Sequence, residues 1–440
     1  MSTNPQRPDA LDTVHWPRTA TPAPQSQRLE GDVITDFVVV GGGLTGTRTA
    51  LGLAESGASV ALLEARTIGW GASGRSGGQC NPIWRATPAD LAKRIGGACA
   101  ERLVAATLSC ADDLFADIRK YDIDCDAEQN GWVQAAHNAA ARVSMQKLAG
   151  AWNEAGGEID QLEAHDVVRR SGSEAYEFAL FHKRGGHVHP LSLTRGFART
   201  AAGFGAQLHE NAPVTGMERT GGKWKVSTPD GSVTAQQVIL TTNAYTTDVW
   251  PGLRQTFLPM VSIVLATAPL GDNLQKTVLP GGVTISDSRR AIYFARYDRD
   301  RRLIFGCVGS SEHVETLGGV GRLQSGLEKV FPQLNETPVE TAWGGRIAVT
   351  PEMMPHLHAP EEGVLAGLGF SGRGIAMTSV MARCLVHKAL GGGDDELPFP
   401  VLPIKPLPMH WAATRVLPLV APVLSMRDSL DGLLDRRRPE

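Results

Sequence analysis

The chain reads as a mixed α/β (α+β) protein with one parallel-sheet domain assembled from discontinuous segments and one antiparallel-sheet domain. Three observations predict this. A continuous apolar, β-branched run, Phe37 to Val40, ends in Gly41 to Gly43, as expected for a strand buried on both faces. Helix formers from Leu44 to Ser56 then lead through Gly57 to a second apolar run, Ser59 to Leu63, which makes a β-α-β unit. Further along, strand-like runs separated by Gly and Pro turns recur without intervening helices, the pattern of an antiparallel sheet.

The 440 residues exceed what one simple core accommodates and suit two interleaved domains able to enclose a large ligand. A formal net charge of -3 offers no basic face for nucleic acid and points to small-molecule partners. The six cysteines, Cys80, Cys99, Cys110, Cys125, Cys307 and Cys384, show no zinc-type spacing and fit a reducing, cytoplasmic setting. Met1 to Leu29 is polar and Pro-rich, lacks the order of a signal peptide, and is expected to be an extended arm. Near the other end, Trp411 to Met426 is interrupted by Arg415, Pro418 and Pro422. It is too short for a transmembrane segment and is expected to be a packing tail, the alternative being contact with a membrane surface or partner.

After a Gly-rich loop from Gly69 to Gly78, amphipathic spacing from Pro88 to Tyr121 predicts one or two helices, with Leu91, Ile95, Leu103, Leu114 and Ile118 on one face. Val214 to Arg219, Lys223 to Ser227 and Val233 to Thr241, divided by Gly221-Gly222 and Pro229-Asp230-Gly231, form a predicted meander. Met260 to Thr267 and Leu303 to Cys307 belong to the second sheet, where substrate recognition is expected. Gly363 to Gly367 is a last strand, and Ile375 to Leu390 a last helix.

Gly41-Gly42-Gly43-Leu44-Thr45-Gly46 fits G-x-G-x-x-G in the required context: it follows a buried strand, opens a helix, and precedes Glu64 by 18 residues from Gly46. The fit is Rossmann-like. The glycines allow a tight turn and close approach of a pyrophosphate to a helix N-terminus. Glu64 can accept from ribose hydroxyls and repels a 2′-phosphate, so an ordinary ADP moiety is favoured over NADP. Gly71 to Gln79, with Ser73, Gly74, Arg75, Gly78 and Gln79, suits either backbone contact with a polar ligand or a surface loop.

D-F-V-V-V-G-G-G-L-T-G from Asp36, L-L-E-A from Leu62 and G-A-S-G-R-S-G-G-Q from Gly71 resemble the glycine oxidase and D-amino-acid oxidase superfamily. Within it the sequence looks most like gamma-glutamylputrescine oxidases. G-G-H-V-H-P-L-S-L from Gly185, T-N-A-Y-T from Thr242, W-G-G from Trp343 and G-F-S-G-R-G from Gly369 follow in order, so the resemblance covers about Gly31 to Gly391.

This resemblance implies non-covalently bound FAD. Gly41, Gly43 and Gly46 would face its pyrophosphate with Leu44 and Thr45 beside them, Glu64 its ribose, Ser73 to Gln79 the pyrophosphate and flavin side, and Val214 the adenine. Gly369, Gly372 and Gly374 would pass under the flavin. Gly367, Gly369 and Gly372 also spell a second G-x-G-x-x-G, but no strand with a terminal acid follows to make it a nicotinamide site. Arg346 lies near where related oxidases carry an arginine for the substrate carboxylate, although theirs stands one residue closer to the threonine; the alternative role is a salt bridge. Trp343 and Phe370 are the expected pocket aromatics. Cys80 offers a tether for the flavin or, more simply, a buried thiol, and His182, His187 and His189 lack the carboxylate neighbour of a metal set.

The implied reaction is oxidation of a small amine or amino acid to an imine, followed by hydrolysis, with electrons passed to oxygen to give hydrogen peroxide or to a carrier protein. A gamma-glutamylated polyamine is the implied substrate. The rival readings are an NAD(P)H-dependent flavin monooxygenase and a non-catalytic flavin-bound assembly factor. The expected layout is an N-terminal arm over 1–30, an FAD-binding domain over 31–90, 145–250 and 335–392, a substrate domain over 91–144 and 251–334, and a tail over 393–440.

Overall fold

In the computed structural model, which describes residues 13–435, Phe37 to Val40 ends a longer strand, Gly31–Val40. Val38 and Val39 are wholly buried because the strand has parallel neighbours on both sides, Gly231–Leu240 and Val60–Leu63. The sheet continues through Gln207–His209 on one side and Val364–Leu368 on the other, both parallel, and ends in the antiparallel His356–Glu361. Its members therefore come from three distant parts of the chain. The expected meander is present as Gly216–Thr220, Lys223–Ser227 and Gly231–Leu240, and its last strand also joins the parallel core. Helices Leu44–Glu55, Pro190–Gly203 and Gly374–Ala389 contribute Leu51, Leu53, Phe197 and Met381 to one core.

The second sheet runs in the order Val339–Val349, Leu258–Pro269, Arg302–Gly309, Phe294–Tyr297, Thr284–Asp287, Trp132–Ala135, Phe178–His182, Ile159–Glu163. All pairs are antiparallel except Thr284–Asp287 with Trp132–Ala135. The architecture is thus the mixed α/β arrangement expected. Its boundaries differ from the expected ones: Ile159–Glu163, Phe178–His182 and Val339–Val349, placed by sequence with the cofactor domain, pair in this second sheet. Ile159–Glu163 and Phe178–His182 are joined to the rest of the sheet through Trp132–Ala135, whose other partner, Thr284–Asp287, is distant in sequence and leaves no local signal.

Two helices occupy Pro88 to Tyr121, Pro88–Ile95 and Gly97–Lys120, divided at Gly96 with φ +83°. The Thr87 hydroxyl accepts from Asp90 N in a capping box that starts the first. The described part of the N-terminal arm is anchored rather than loose: Trp16 is fully buried in the short helix Trp16–Thr19. The tail forms a helix, His410–Asp435, despite Pro418 and Pro422. It docks through buried Asp428, which accepts from Arg290 N and Ala291 N, and leaves Trp411, Leu419 and Met426 exposed. No helix among the described residues is long and apolar enough to cross a membrane.

Candidate active site

The chain turns sharply after Val40, with Gly41 at φ +109°, and the helix Leu44–Glu55 starts from Gly43 as its N-cap. A side chain at Gly46 would stand 1.9 Å from Gly41 O and 2.6 Å from Thr241 Oγ1, so this glycine sets how closely helix and strand pack. Gly43 is different. A side chain there would meet only Ser73 Oγ, at 2.9 Å. Ser73 Oγ accepts from Leu44 N at 2.9 Å, which docks the glycine loop on the helix N-terminus. Glu64, at the end of Val60–Leu63, accepts from Gly42 N at 2.7 Å and from Arg66 N at 2.9 Å. Burial raises its pKa against the opposing pull of these two bonds.

The loop from Gly71 to Gln79 is held from outside the first domain. Trp343 Nε1 donates to Arg75 O at 2.8 Å, Trp16 Nε1 to Ser76 O at 2.9 Å, and Arg296 Nε to Gly77 O at 2.7 Å. Gln79 Nε2 donates to Ile285 O and Ala295 O, tying the loop to the second sheet. Arg296 is fully buried, with its pKa lowered by that burial to about 10, and its Cζ lies 4.6 Å from the Trp16 ring centre.

Between the two sheets lies a cavity of about 470 Å³. Glu64 and Val214 line one end; Gly41, Gly43, Leu44, Thr45, Ser73 and Arg75 line its length; Gly78, Gln79, Phe370, Gly372 and Gly374 follow. Beyond them the wall is Tyr245, Ile292, Phe294, Val308, Arg346 and Ile347. Arg346 does not stand alone: its Nε donates to Glu312 Oε2 at 2.5 Å, and Tyr245 Oη donates to Glu312 Oε1 at 2.8 Å while accepting from Arg346 N at 3.2 Å. Burial, with the Glu312 charge, raises the Tyr245 pKa and keeps the phenol protonated.

Four expected site residues lie off this wall. Gly46 and Gly74 are packing glycines, the latter because a side chain would come 2.1 Å from Gly69 O. Gly369, with φ +85°, donates its N–H to Asn243 Oδ1 at 2.9 Å and shapes the turn. Trp343, expected in the pocket, shares a strand face with the cavity-lining Gly345 and Ile347 but lies further along it, where it packs edge-on against Trp16 at 5.9 Å and is covered by the glycine loop through Arg75 O. Cys80 is wholly buried with its pKa raised far above the usual thiol value by that burial. His182 stacks on Trp132 at 4.3 Å, and His189 caps Pro190–Gly203 by accepting from Ser192 N. Both are structural.

Residues 36–388 match the model of a family described as FAD dependent oxidoreductase, DAO. The chain belongs to this family. It is 33% identical to the probable oxidoreductase OrdL of Haemophilus influenzae, over 82% of this chain and 84% of that one. It is 31% identical to the gamma-glutamylputrescine oxidoreductase of Escherichia coli, over 86% and 89%. The crystal structure of glycine oxidase from Geobacillus kaustophilus superposes with a TM-score of 0.71 at 19% identity, covering 84% of this chain and 99% of that one. This last likeness concerns the fold.

As a member of the DAO family the chain is an FAD-dependent oxidoreductase acting on an amine or amino acid, with the cofactor held non-covalently and a small amine and an electron acceptor as its partners. The residues present fit FAD. One continuous cavity joins the Glu64 end to the Phe370 end, and a Cβ at Gly43 would intrude on the helix N-terminus where a pyrophosphate is stabilised. Gly372, with φ +87° and open space where a side chain would stand, leaves room for the ring system. Glu64 would hold the ribose, Leu44 and Ser73 the pyrophosphate, and Val214 the adenine. Tyr245, Glu312, Trp16 and Arg296 escaped the sequence reading. Tyr245 lay within the T-N-A-Y-T string; the others carry no pattern of their own.

Proposed function

We propose that the chain oxidises the amine of an extended substrate, a gamma-glutamylated polyamine, with oxygen as electron acceptor and hydrogen peroxide as product. FAD, when bound, supplies the chemistry by taking hydride from the carbon next to the nitrogen. The protein's part is to bind, orient and desolvate the amine. The carrying observation is the far wall of the cavity: Ile292, Phe294, Val308, Ile347 and Phe370 make an apolar passage, and the guanidinium at its rim is already paired with Glu312. An apolar passage accommodates an alkyl chain and disfavours the charged form of an amine within it, leaving the lone pair free. The 31% identity to the gamma-glutamylputrescine oxidoreductase supports the same substrate. Six free cysteines, five of them buried, support a cytoplasmic setting.

The second glycine motif supports an oxidase over a nicotinamide-fed monooxygenase. Its helix, Gly374–Ala389, packs on Leu44–Glu55, with a Cβ at Gly52 only 2.8 Å from Val386, and Gly372 faces the same cavity. The experiment is anaerobic mixing of the yellow protein with gamma-glutamylputrescine, putrescine, glycine and NADPH in separate runs. Bleaching is expected to be fastest with gamma-glutamylputrescine. Faster bleaching by glycine or by NADPH would replace this reading with an amino-acid oxidase or a monooxygenase.

A further inference from the structure

The helix His410–Asp435 has two faces of opposite character. One is seated on the second sheet, against Leu258–Pro269 and Arg302–Gly309. Ala421 is wholly buried there, His410 Nε2 donates to Phe257 O at 3.0 Å, and Asp428 and Asp431 reach Arg290 Nη1 at 3.2 and 2.6 Å. The other face points to solvent and is apolar. Trp411, Val416, Leu419, Val423 and Met426 recur at intervals of three to five residues, which keeps them on one side of the helix, and each is between 45% and 64% exposed. Large apolar side chains exposed singly are ordinary; five along one stripe mark a surface made to be covered.

The charges of the helix are sorted between these faces. Among its described side chains the acids are Asp428 and Asp431, both drawn to Arg290, whereas the cations Arg415 and Arg427 stand exposed and neither pairs with a carboxylate. Arg415 Cζ lies 5.0 Å from the Trp411 ring centre, so an indole and a guanidinium share one exposed position. After the helix the sequence continues Arg436-Arg437-Arg438. An apolar stripe whose only charges are positive, opened by a tryptophan, complements the boundary between acyl chains and anionic headgroups. A second copy of the chain fits less well. Two such stripes would set guanidinium against guanidinium, and Pro418 and Pro422 interrupt the regular turns that a packed helix pair requires.

We infer that the exposed face of His410–Asp435 is a docking face for an anionic lipid surface, along which the helix lies without crossing it. Trp411, Leu419 and Val423 enter the headgroup boundary, and Arg415 and Arg427 meet lipid phosphates. Asp428 accepts from Ala291 N, and the next residue, Ile292, lines the cavity, so the docked helix is tied directly to the cavity's apolar wall.

Co-sedimentation of the FAD-loaded full chain with vesicles tests this, with equimolar phosphatidylglycerol and phosphatidylcholine set against phosphatidylcholine alone. Binding to the anionic vesicles is expected to be stronger by about tenfold or more. Replacing both cations, Arg415→Gln with Arg427→Gln, should weaken it about 10- to 30-fold, from about a factor of five for each cation near such a surface. Leu419→Asp with Val423→Asp should abolish it, while flavin content and melting temperature stay those of the parent because both sites are exposed. Leu419→Ser with Val423→Thr serves if the aspartate pair loses flavin. Anionic vesicles should also shift the tryptophan emission to the blue, and Trp411→Phe should remove that shift. No binding to anionic vesicles, equal binding to both kinds, or binding undiminished in the Leu419 and Val423 variants would overturn the assignment. So would a dimer in light scattering that Leu419→Asp dissolves, which would give the face to a second copy of the chain.

Discussion

Trp16 Nε1 donates a hydrogen bond of 2.9 Å to Ser76 O across 60 positions of sequence, so the N-terminal arm holds the glycine loop that lines the cavity. The neighbouring carbonyls, of Arg75 and Gly77, are held by Trp343 and Arg296. Trp16→Phe keeps most of the ring volume and removes the donor, leaving Ser76 O without that bond. A loss of about 1 kcal/mol in stability is expected, with FAD released more readily on gel filtration. Trp16→Ala, which empties a fully buried site, should cost about 3–5 kcal/mol. Urea denaturation measures both; a Phe variant matching the parent in stability and flavin content would show that the arm does not position the loop.

Gly43 and Gly46 belong to one motif and should fail in different ways. A Cβ at Gly46 collides with backbone, Gly41 O at 1.9 Å, and backbone cannot swing aside. Gly46→Ala is therefore expected to lower the melting temperature of the FAD-free protein itself, by several kcal/mol of stability lost to forced overpacking, about 1–3 or more. At Gly43 the obstacle is the Ser73 hydroxyl, so Gly43→Val should fold and lose FAD. Circular dichroism melts beside the visible flavin band separate the two. A Gly43→Val protein with its full flavin complement would refute the assignment of the pyrophosphate to this helix.

Local periodicity made the β-α-β unit legible: the apolar run at Phe37, the helix after Gly43 and the acid at Glu64 occupy their expected places. Lys223–Ser227 matches residue for residue because turns on both sides fix its ends. Membership in the second sheet was not legible for Ile159–Glu163 or Phe178–His182, which pair with each other and with Trp132–Ala135 and reach the rest of the sheet only through the distant pairing of Trp132–Ala135 with Thr284–Asp287. Along Val339–Val349 the residue types Trp343 and Arg346 suggested one pocket, yet three positions of strand put them on opposite faces. Glu312 sits in an irregular loop, and only the folded chain brings it to Arg346.

Glu64 should make FAD affinity depend on pH. Its folded pKa is raised, first by burial, so the protonated form is populated at pH values above the ordinary carboxyl range. Protonation removes acceptor capacity from the ribose, so FAD affinity is expected to fall as pH drops through that raised value. In the FAD-free protein the sign is opposite: the folded state binds the proton more tightly than the unfolded chain, and stability from this group is lost as pH rises. Glu64→Gln should thus weaken FAD by about tenfold, the difference between a charged and a neutral acceptor, and flatten the pH dependence. Fluorescence titration of FAD between about pH 5 and 8 checks this, and an unchanged slope in the variant would place the dependence elsewhere.

Acid should destabilise the protein earlier than its carboxylates alone would cause, because His182, His187, His189 and His358 are buried in neutral form, burial lowering the last to about 4. Burial, with Arg373 nearby, lowers the His182 pKa to about 3; burial, with Arg296 nearby, lowers His189 to about 3 and His187 well below its usual value. In the unfolded chain each titrates near 6.5, so below about that pH the unfolded state binds more protons and stability falls. The contribution is complete above about pH 6.5 and is lost progressively as pH falls toward the folded values. At pH 5 each histidine accounts for about 2 kcal/mol, from roughly 1.4 kcal/mol per unit over 1.5 units. Glu64, whose pKa is raised, works in the other direction and offsets part of one histidine's share. Urea unfolding of the FAD-free protein at pH 5, 6 and 7 should therefore show a slope of about three to four protons taken up below pH 6. His182→Gln removes one of the four: its absolute stability should fall with the loss of stacking on Trp132, while the slope decreases by about one proton. If stability were the same at pH 5 as at pH 7, or if the slope were untouched in His182→Gln, these histidines would not be buried as neutral groups.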